Sequence, residues 1–119
     1  MDRLIEVSAE RGRGQRVVPA TLNIFLTHFP RFPVLPGVLL VHDLVELATQ
    51  VLEARDSRRW TLAEAHRIRF RDFVRTGDIV DLVVDVVEVG PGAAICSARA
   101  LVGHRTVCSA QRLRMVADS

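Results

Sequence analysis

The stretch "HFPRFPVLPGVLLVHDLVEL", residues 28–47, decides how this chain is read. Its first part carries Pro30, Pro33 and Pro36. Each removes an amide donor and turns its predecessor away from helical angles, so the segment is a shaped loop. After Gly37 the run "VLLVHDLVELATQVLEARDS" has no proline or glycine and is rich in helix formers, and its spacing predicts a long helix. Apolar residues recur at 40, 44, 47 and 51 and again at 38, 41, 45, 48 and 52. Two apolar stripes need more cover than one small sheet face supplies, so the helix requires a sheet wrapped around it or a partner subunit. The charged run "ARDSRRW" closes the helix.

Outward from this helix the chain reads as strands. Upstream, Ile5 to Val7 and Arg16 to Phe25 are β-compatible and flank "ERGRGQ", whose glycines suit a turn, which predicts an opening hairpin. Downstream, "TLAEAHRIRFRDF", "DIVDLVVDVVEV", "AAICSARALV" and "RTVCSAQRLRMV" are separated by turn signals at "RTGD", "GPG" and Gly103. Alternation sets Ile68, Phe70 and Asp72 against Arg67, Arg69 and Arg71. It also sets Cys108, Ala110, Arg112 and Arg114 against Val107, Ser109, Gln111 and Leu113. The predicted order is two strands, one long buried helix and about four antiparallel strands, an α+β arrangement.

With 119 residues the chain is expected to form one domain, 1–119. Hydrophobic residues make up 49% and charged residues 25%, ordinary globular usage that excludes disordered and fibrous classes. No apolar stretch approaches the ~20 residues that span a bilayer. The charged start "MDRLIEVSAERGRG" is no secretory signal, so the expected location is cytoplasmic and no membrane partner is expected. The formal charge of +2 and pI of about 9.0 rest wholly on arginine. Those arginines are scattered without interleaved aromatics, which argues against nucleic acid and suits an acidic protein partner. Cys96 and Cys108 lack metal-binding spacing and read as buried thiols, and no metal site is expected.

A single helix embraced by a long antiparallel sheet describes the hotdog fold, and the helix entrance sharpens that likeness. "HFPRFPVLPGVLLV" resembles the active-site segment of the β-hydroxyacyl-acyl-carrier-protein dehydratases of the FabZ and FabA type. In that family the pattern runs His-Phe-Pro-Gly-x-Pro-Val-x-Pro-Gly-Val-Leu. A catalytic Glu or Asp follows three residues later, and a Gln one turn beyond. His28, Phe29, Pro30, Pro33, Val34, Pro36, Gly37, Val38 and Leu39 match it. "RIRFRDFVRTGD" is similar to the family's Lys/Arg-Phe-Arg run and Pro-Gly-Asp turn, with Thr76 in the proline's place. The resemblance runs from Leu4 to Met115. It implies a hotdog fold of about six strands and a substrate carried on the phosphopantetheine of an acyl carrier protein, with no further cofactor. It also implies dimers that join their sheets, with a homodimer and a heterodimer both open, and active sites at the interface.

Dehydration of a 3-hydroxyacyl thioester, in fatty-acid or polyketide-type synthesis, needs a base at C2, an acid for the C3 hydroxyl and donors for charge on the thioester oxygen. His28 suits the base, and the resemblance assigns it that role. Gly37 at the helix start lets a carbonyl approach free amides and the positive dipole end, an oxyanion site. Val38, Phe29 and Pro36 join it as expected substrate-binding positions. The acid departs from the family: the carboxylate position holds His42, the Gln position holds Glu46, and the glycine after Pro30 is Arg31. One reading makes His42 the proton donor, oriented by Glu46 one turn on. A second makes the chain a half-site subunit that contributes His28 beside a partner's carboxylate. A third leaves an acyl-thioester binding protein or thioesterase on the same scaffold. Asp43, about 100° around the helix from His42, is expected to be solvated or capping. Arg31, Arg69 and Arg71 are candidates to meet the phosphopantetheine arm or an acidic carrier.

Overall fold

In the computed structural model, which describes residues 1–18 and 34–118, the elements follow the predicted order. They are β1 (Arg3–Val7), β2 (Arg11–Val17), β3 (Val34–Leu35), α1 (Gly37–Arg55), β4 (Trp60–Phe70), β5 (Val74–Arg75), β6 (Ile79–Val89), β7 (Ala93–Val102) and β8 (Arg105–Ala117). Six strands form one antiparallel sheet in the order β1-β2-β6-β7-β8-β4, and α1 packs against all six. This is the hotdog arrangement expected from the helix and its flanking strands. β3 and β5 form a separate two-stranded pair, Val34 opposite Arg75 and Leu35 opposite Val74. That pair fastens the entrance of α1 to the segment after β4, and it is what positions the site.

The core joins one stripe of the helix to one face of the sheet. Leu40, Leu44, Leu47 and Val51 are buried, with Ala48 and Leu52 beside them, against Leu82, Val84, Cys96, Ala110 and Met115 among others. The second predicted stripe divides. Its far end, Ala48 and Leu52, is buried, while Val41 and Val45 are half-buried and Val38 is 68% exposed. The sheet covers one side of the helix, and the outward side near its start is left open.

Three expectations are corrected. The opening hairpin turns at Ser8–Glu10, earlier than "ERGRGQ" predicts, because Ser8 closes it: the Ser8 hydroxyl oxygen accepts the Arg11 amide (3.1 Å), and the Ser8 amide donates to the Arg11 carbonyl (2.8 Å). The glycines therefore lie inside β2. A Cβ on Gly12 would collide with the Val51 side chain and stand 3.1 Å from Leu47 Cδ1, so glycine here lets the helix rest on the strand. Residues 19–25 of the expected second strand lie outside the described residues.

The second correction concerns β8. Cys96 pairs with Leu113 but Ala98 with Ala110, so Gln111 and Arg112 together face Ser97. This bulge reverses the alternation. Cys108 and Ala110 face the core before it, Leu113 and Met115 after it, and Arg112 and Arg114 leave that face.

The third correction is Asp43. Far from being solvated or capping, it is fully buried. It lies on the flank of α1 that faces β2, where Arg16 grips it through Nε and through Nη2 at 2.8 Å. A partner 27 residues away in sequence is invisible to helix spacing.

Candidate active site

The entrance of α1 opens into a cavity of about 490 Å³ formed where residues 35–40 meet residues 70–74. Leu35, Leu40 and Val74 make its buried wall, and the exposed rings of Phe70 and Phe73 its rim. Pro36, Gly37 and Val38, three of the expected substrate-binding positions, all line it. Pro36 is the N-cap and makes no side-chain cap, and the first turn holds no acidic residue. The amide end of the helix dipole thus meets the cavity without a competing side-chain anion from its own first turn, which suits a developing negative charge. Gly37 is required by contact: a Cβ there would stand 2.5 Å from Phe70 Cε1 and 2.6 Å from Cδ1. The ring of Phe70 lies over the backbone at Gly37.

His42 lies one turn beyond Val38, about 40° around the helix and about 6 Å along it. It is exposed, on the side of α1 away from the sheet. Donor atoms of His42, Asp43 and Glu46 lie within 4.8 Å of one another. Asp43 already has both oxygens engaged, by Arg16 and by the Met1 ammonium at 2.6 Å. Burial alone pushes its carboxyl up, but the hydrogen bonds and charges of Arg16 and the ammonium outweigh this and hold it below its ordinary range. Asp43 is therefore a fixed anion at neutral pH and no proton donor. Glu46, with its side chain 39% exposed, meets the same ammonium at 3.5 Å. The helix thus places the His42 ring and the Glu46 carboxylate within 4.8 Å of each other, with Asp43 beside them held by Arg16. His28 and Phe29 lie outside the described residues.

Residues 70–73 were missed as cavity residues by sequence reasoning, Arg71 excepted. The signal available was "RFRDF", read as plain strand alternation. Arg71 lines the cavity and, with Arg67, Arg69 and Arg99, also a depression of about 290 Å³ floored by Ser97 and Ser109. No carboxylate of the described residues lies within 4.0 Å of these four arginines. Asp72, at the rim, is taken by Arg105 at 3.0 Å. The thiols of Cys96 and Cys108 are free and buried, and desolvation pushes both up to about 11, so neither is a nucleophile at neutral pH. No helix of the described residues is long and apolar enough to cross a membrane.

Comparison with known proteins agrees with this architecture. The family model described as ApeI-like, ApeI dehydratase, matches residues 5–108. The 3-hydroxyacyl-[acyl-carrier-protein] dehydratase FabZ of Bacillus velezensis is 33% identical over 119 residues, covering 93% of this chain and 82% of the relative. The FabZ of Pseudothermotoga lettingae is 33% identical over 114 residues, covering 95% and 81%. Among solved structures, smu.793 from Streptococcus mutans, bound to acetyl CoA, superposes with a TM-score of 0.81 at 10% identity over 98% of this chain and 88% of its own. The dehydratase heterocomplex ApeI:P from Xenorhabdus doucetiae gives 0.75 at 12%, over 98% and 81%. At such identities the likeness to solved structures speaks for the fold alone.

Proposed function

Because this chain belongs to the ApeI-like dehydratases and the wider FabZ-related hotdog family, we propose that it dehydrates a 3-hydroxyacyl thioester presented on the phosphopantetheine arm of an acyl carrier protein. The observation that carries this reading is the cavity at the entrance of α1, where the uncapped helix start, Gly37 and the Phe70 ring form a seat for a thioester carbonyl.

In this scheme an imidazole nitrogen of His28 removes the C2 proton. The electron pair of that bond delocalises onto the thioester oxygen, where the Gly37 amide and the helix dipole stabilise it. The pair then returns to form the C2–C3 double bond as the C3–O bond breaks. The hydroxyl leaves as water with a proton from His42, which Glu46 orients. His28 has gained one proton and His42 has lost one, and exchange with solvent resets both. Arg71 at the cavity and the arginines beside it offer charge to the arm's phosphate and to an acidic carrier surface.

The test is turnover of a carrier-bound 3-hydroxyacyl thioester by the purified chain, followed by absorbance of the unsaturated product. His28→Ala should slow it by roughly 10²- to 10⁴-fold, the usual worth of a general base. An undiminished rate removes His28 from the mechanism. A second reading has a specific observation behind it: His42, where the family has a carboxylate, sits on the open face of the helix. As a half-site subunit, the chain would turn over substrate only when mixed with a hotdog partner that supplies the carboxylate.

A further inference from the structure

The face of the sheet away from α1 carries a group of hydrogen-bond donors that the chemical steps above do not use. Ser109 lies between Cys108 and Ala110, which are buried on the helix side, so its hydroxyl stands on the opposite face. Strand pairing sets Arg69 of β4 and Arg99 of β7 directly across from Ser109, one on each side. The neighbouring row of the same face holds Arg67, Gln111 and Ser97. Both rows line the depression of about 290 Å³. Two backbone irregularities meet in the second row. Arg67 has a φ of 56°, the one left-handed residue other than glycine among the described residues, and its Nη1 donates to Gln111 Oε1 at 3.4 Å. Gln111 belongs to the bulge of β8 that faces Ser97. Left-handed backbone is disfavoured for arginine and a bulge re-aims side chains, and both features gather at this depression, where a plain solvated strand face requires neither.

We propose that this depression is a phosphoryl-binding site, with Ser109 at its floor and the guanidinium groups of Arg69 and Arg99 closing on the anion from either side. Strands ~4.8 Å apart put the two arginines ~10 Å apart at their Cα atoms, a span that two long side chains close over Ser109. The donor count selects the ligand. Two guanidinium forks, the Ser97 and Ser109 hydroxyls and the Gln111 amide offer more donors than the two coplanar oxygens of a carboxylate accept. The oxygens of a phosphoryl group splay to meet donors from several sides. The charge suits it as well: neither Arg69 nor Arg99 lies within 4.0 Å of a carboxylate of the described residues. Asp85, next to Ser97 in its row, is held by Arg11 at 2.6 Å. The lining has no aromatic ring on which a nucleic acid base would stack. The group can be free phosphate or the phosphate of a carrier's arm, because Arg71 lines both this depression and the cavity. The proposal deepens the reading above by naming what the arginines beside Arg71 hold. Its readout is binding and not turnover, so its failure and that of dehydration are told apart.

The experiment is a titration of the whole chain with inorganic phosphate at constant pH and ionic strength, followed in two-dimensional amide NMR spectra. The amides of Ser97, Arg99 and Ser109 should shift along one binding curve, and those of Gly37 and Val38 should stay in place; this map needs no variant. Phosphate should bind about tenfold or more tightly than acetate. Arg69→Gln with Arg99→Gln should weaken phosphate by about tenfold or more, the worth of a hydrogen bond to a charged group. Arg3→Gln with Arg59→Gln removes the same charge from elsewhere on the surface and should change it by less than about twofold. Phosphopantetheine then identifies the source. Tighter binding than phosphate, with shifts that spread to Gly37 and Val38, marks the carrier's arm, and equal affinity marks free phosphate. Shifts confined to the entrance of α1, acetate or a hexaglutamate peptide bound as tightly as phosphate, pantetheine without its phosphate bound as tightly as phosphopantetheine, or equal losses in the two arginine pairs each overturn the proposal.

Discussion

Gly37→Ala separates the stability of the helix entrance from its chemistry. The added methyl carbon would stand 2.5 Å from Phe70 Cε1, so the ring must retreat by about 1 to 1.5 Å to regain ordinary contact at 3.5–4.0 Å. Phe70 is 58% exposed, so its ring has room to swing outward. The retreat costs about 0.5–1.5 kcal/mol of rotamer strain. Alanine in place of glycine returns about 0.4–1 kcal/mol through the unfolded chain. The net change in stability should stay within about 1 kcal/mol, a melting shift of no more than about 8 °C. The chemistry has no such compensation. The methyl occupies the gap between the ring and the backbone where the thioester oxygen is to sit. Displacement of a reacting group by ~1 Å or loss of an oxyanion donor each costs on the order of 10²-fold. We expect kcat/KM for the carrier-bound thioester to fall by about 10²-fold or more while the thermal melt barely moves. Adding Phe70→Ala removes the displaced ring but not the methyl, so activity should stay low. Activity within twofold of the natural chain would show that the carbonyl does not approach Gly37. A much larger melting shift would show that Phe70 is not free to move.

Two further expectations concern the frame around the site. Gly12→Ala drives a methyl into Val51 and against Leu47 on the buried side of α1. It should cost about 1–3 kcal/mol in a urea melt, and Val51→Ala should reduce that cost when combined with it; additive losses would contradict the close approach. The Arg16–Asp43 pair predicts a pH dependence of defined sign. Its carboxyl is depressed on folding, so its stabilisation is complete well above 3.8 and is lost as pH falls through the folded value. Asp43→Asn should cost about 3 kcal/mol near neutral pH by stranding Arg16, and the gap to the natural chain should narrow as pH falls below 3.8 through the lowered folded value. A gap that widens as pH falls would mean that the pair is not the source.

The elements were legible where local pattern and packing agree. The helix from Gly37 and the strands after Trp60 follow from period, turn residues and the absence of breakers, and their observed bounds lie within a few residues of the predicted ones. What was not legible depends on residues far apart in sequence. Gly12 and Gly14 look like turn glycines until the helix is laid on β2, when Gly12 becomes the residue that lets it settle. The reversal in β8 arises from β7, where one residue faces two, and no periodicity within β8 announces it. Asp43 reads as a surface charge because its partner is on another element. At the site, the motif marks Pro36, Gly37 and Val38 in one wall, while the opposite wall, Phe70 to Val74, comes from a strand end whose phenylalanines carry no spacing that distinguishes them from ordinary strand alternation.

The outward face of α1 near its start is exposed among the described residues. Val38 and the rings of Phe70 and Phe73 are more than half exposed, and His42 beside them is exposed too. Proton transfer between a ring and a departing hydroxyl gains from a dry, fixed setting, because charge interactions weaken sharply in water. Among the described residues the cavity is lined on one side by residues 35–40 and on the other by residues 70–74. Further cover for the site can come from within the chain or from a second subunit. These sources differ in a measurable way. If the chain covers its own site, turnover per chain is independent of protein concentration. If a second subunit supplies that cover, specific activity falls on dilution below the dissociation constant of the dimer and returns with added subunit. A homodimer is restored by more of this chain, whereas a half-site subunit is restored only by a partner carrying the carboxylate that His42 replaces.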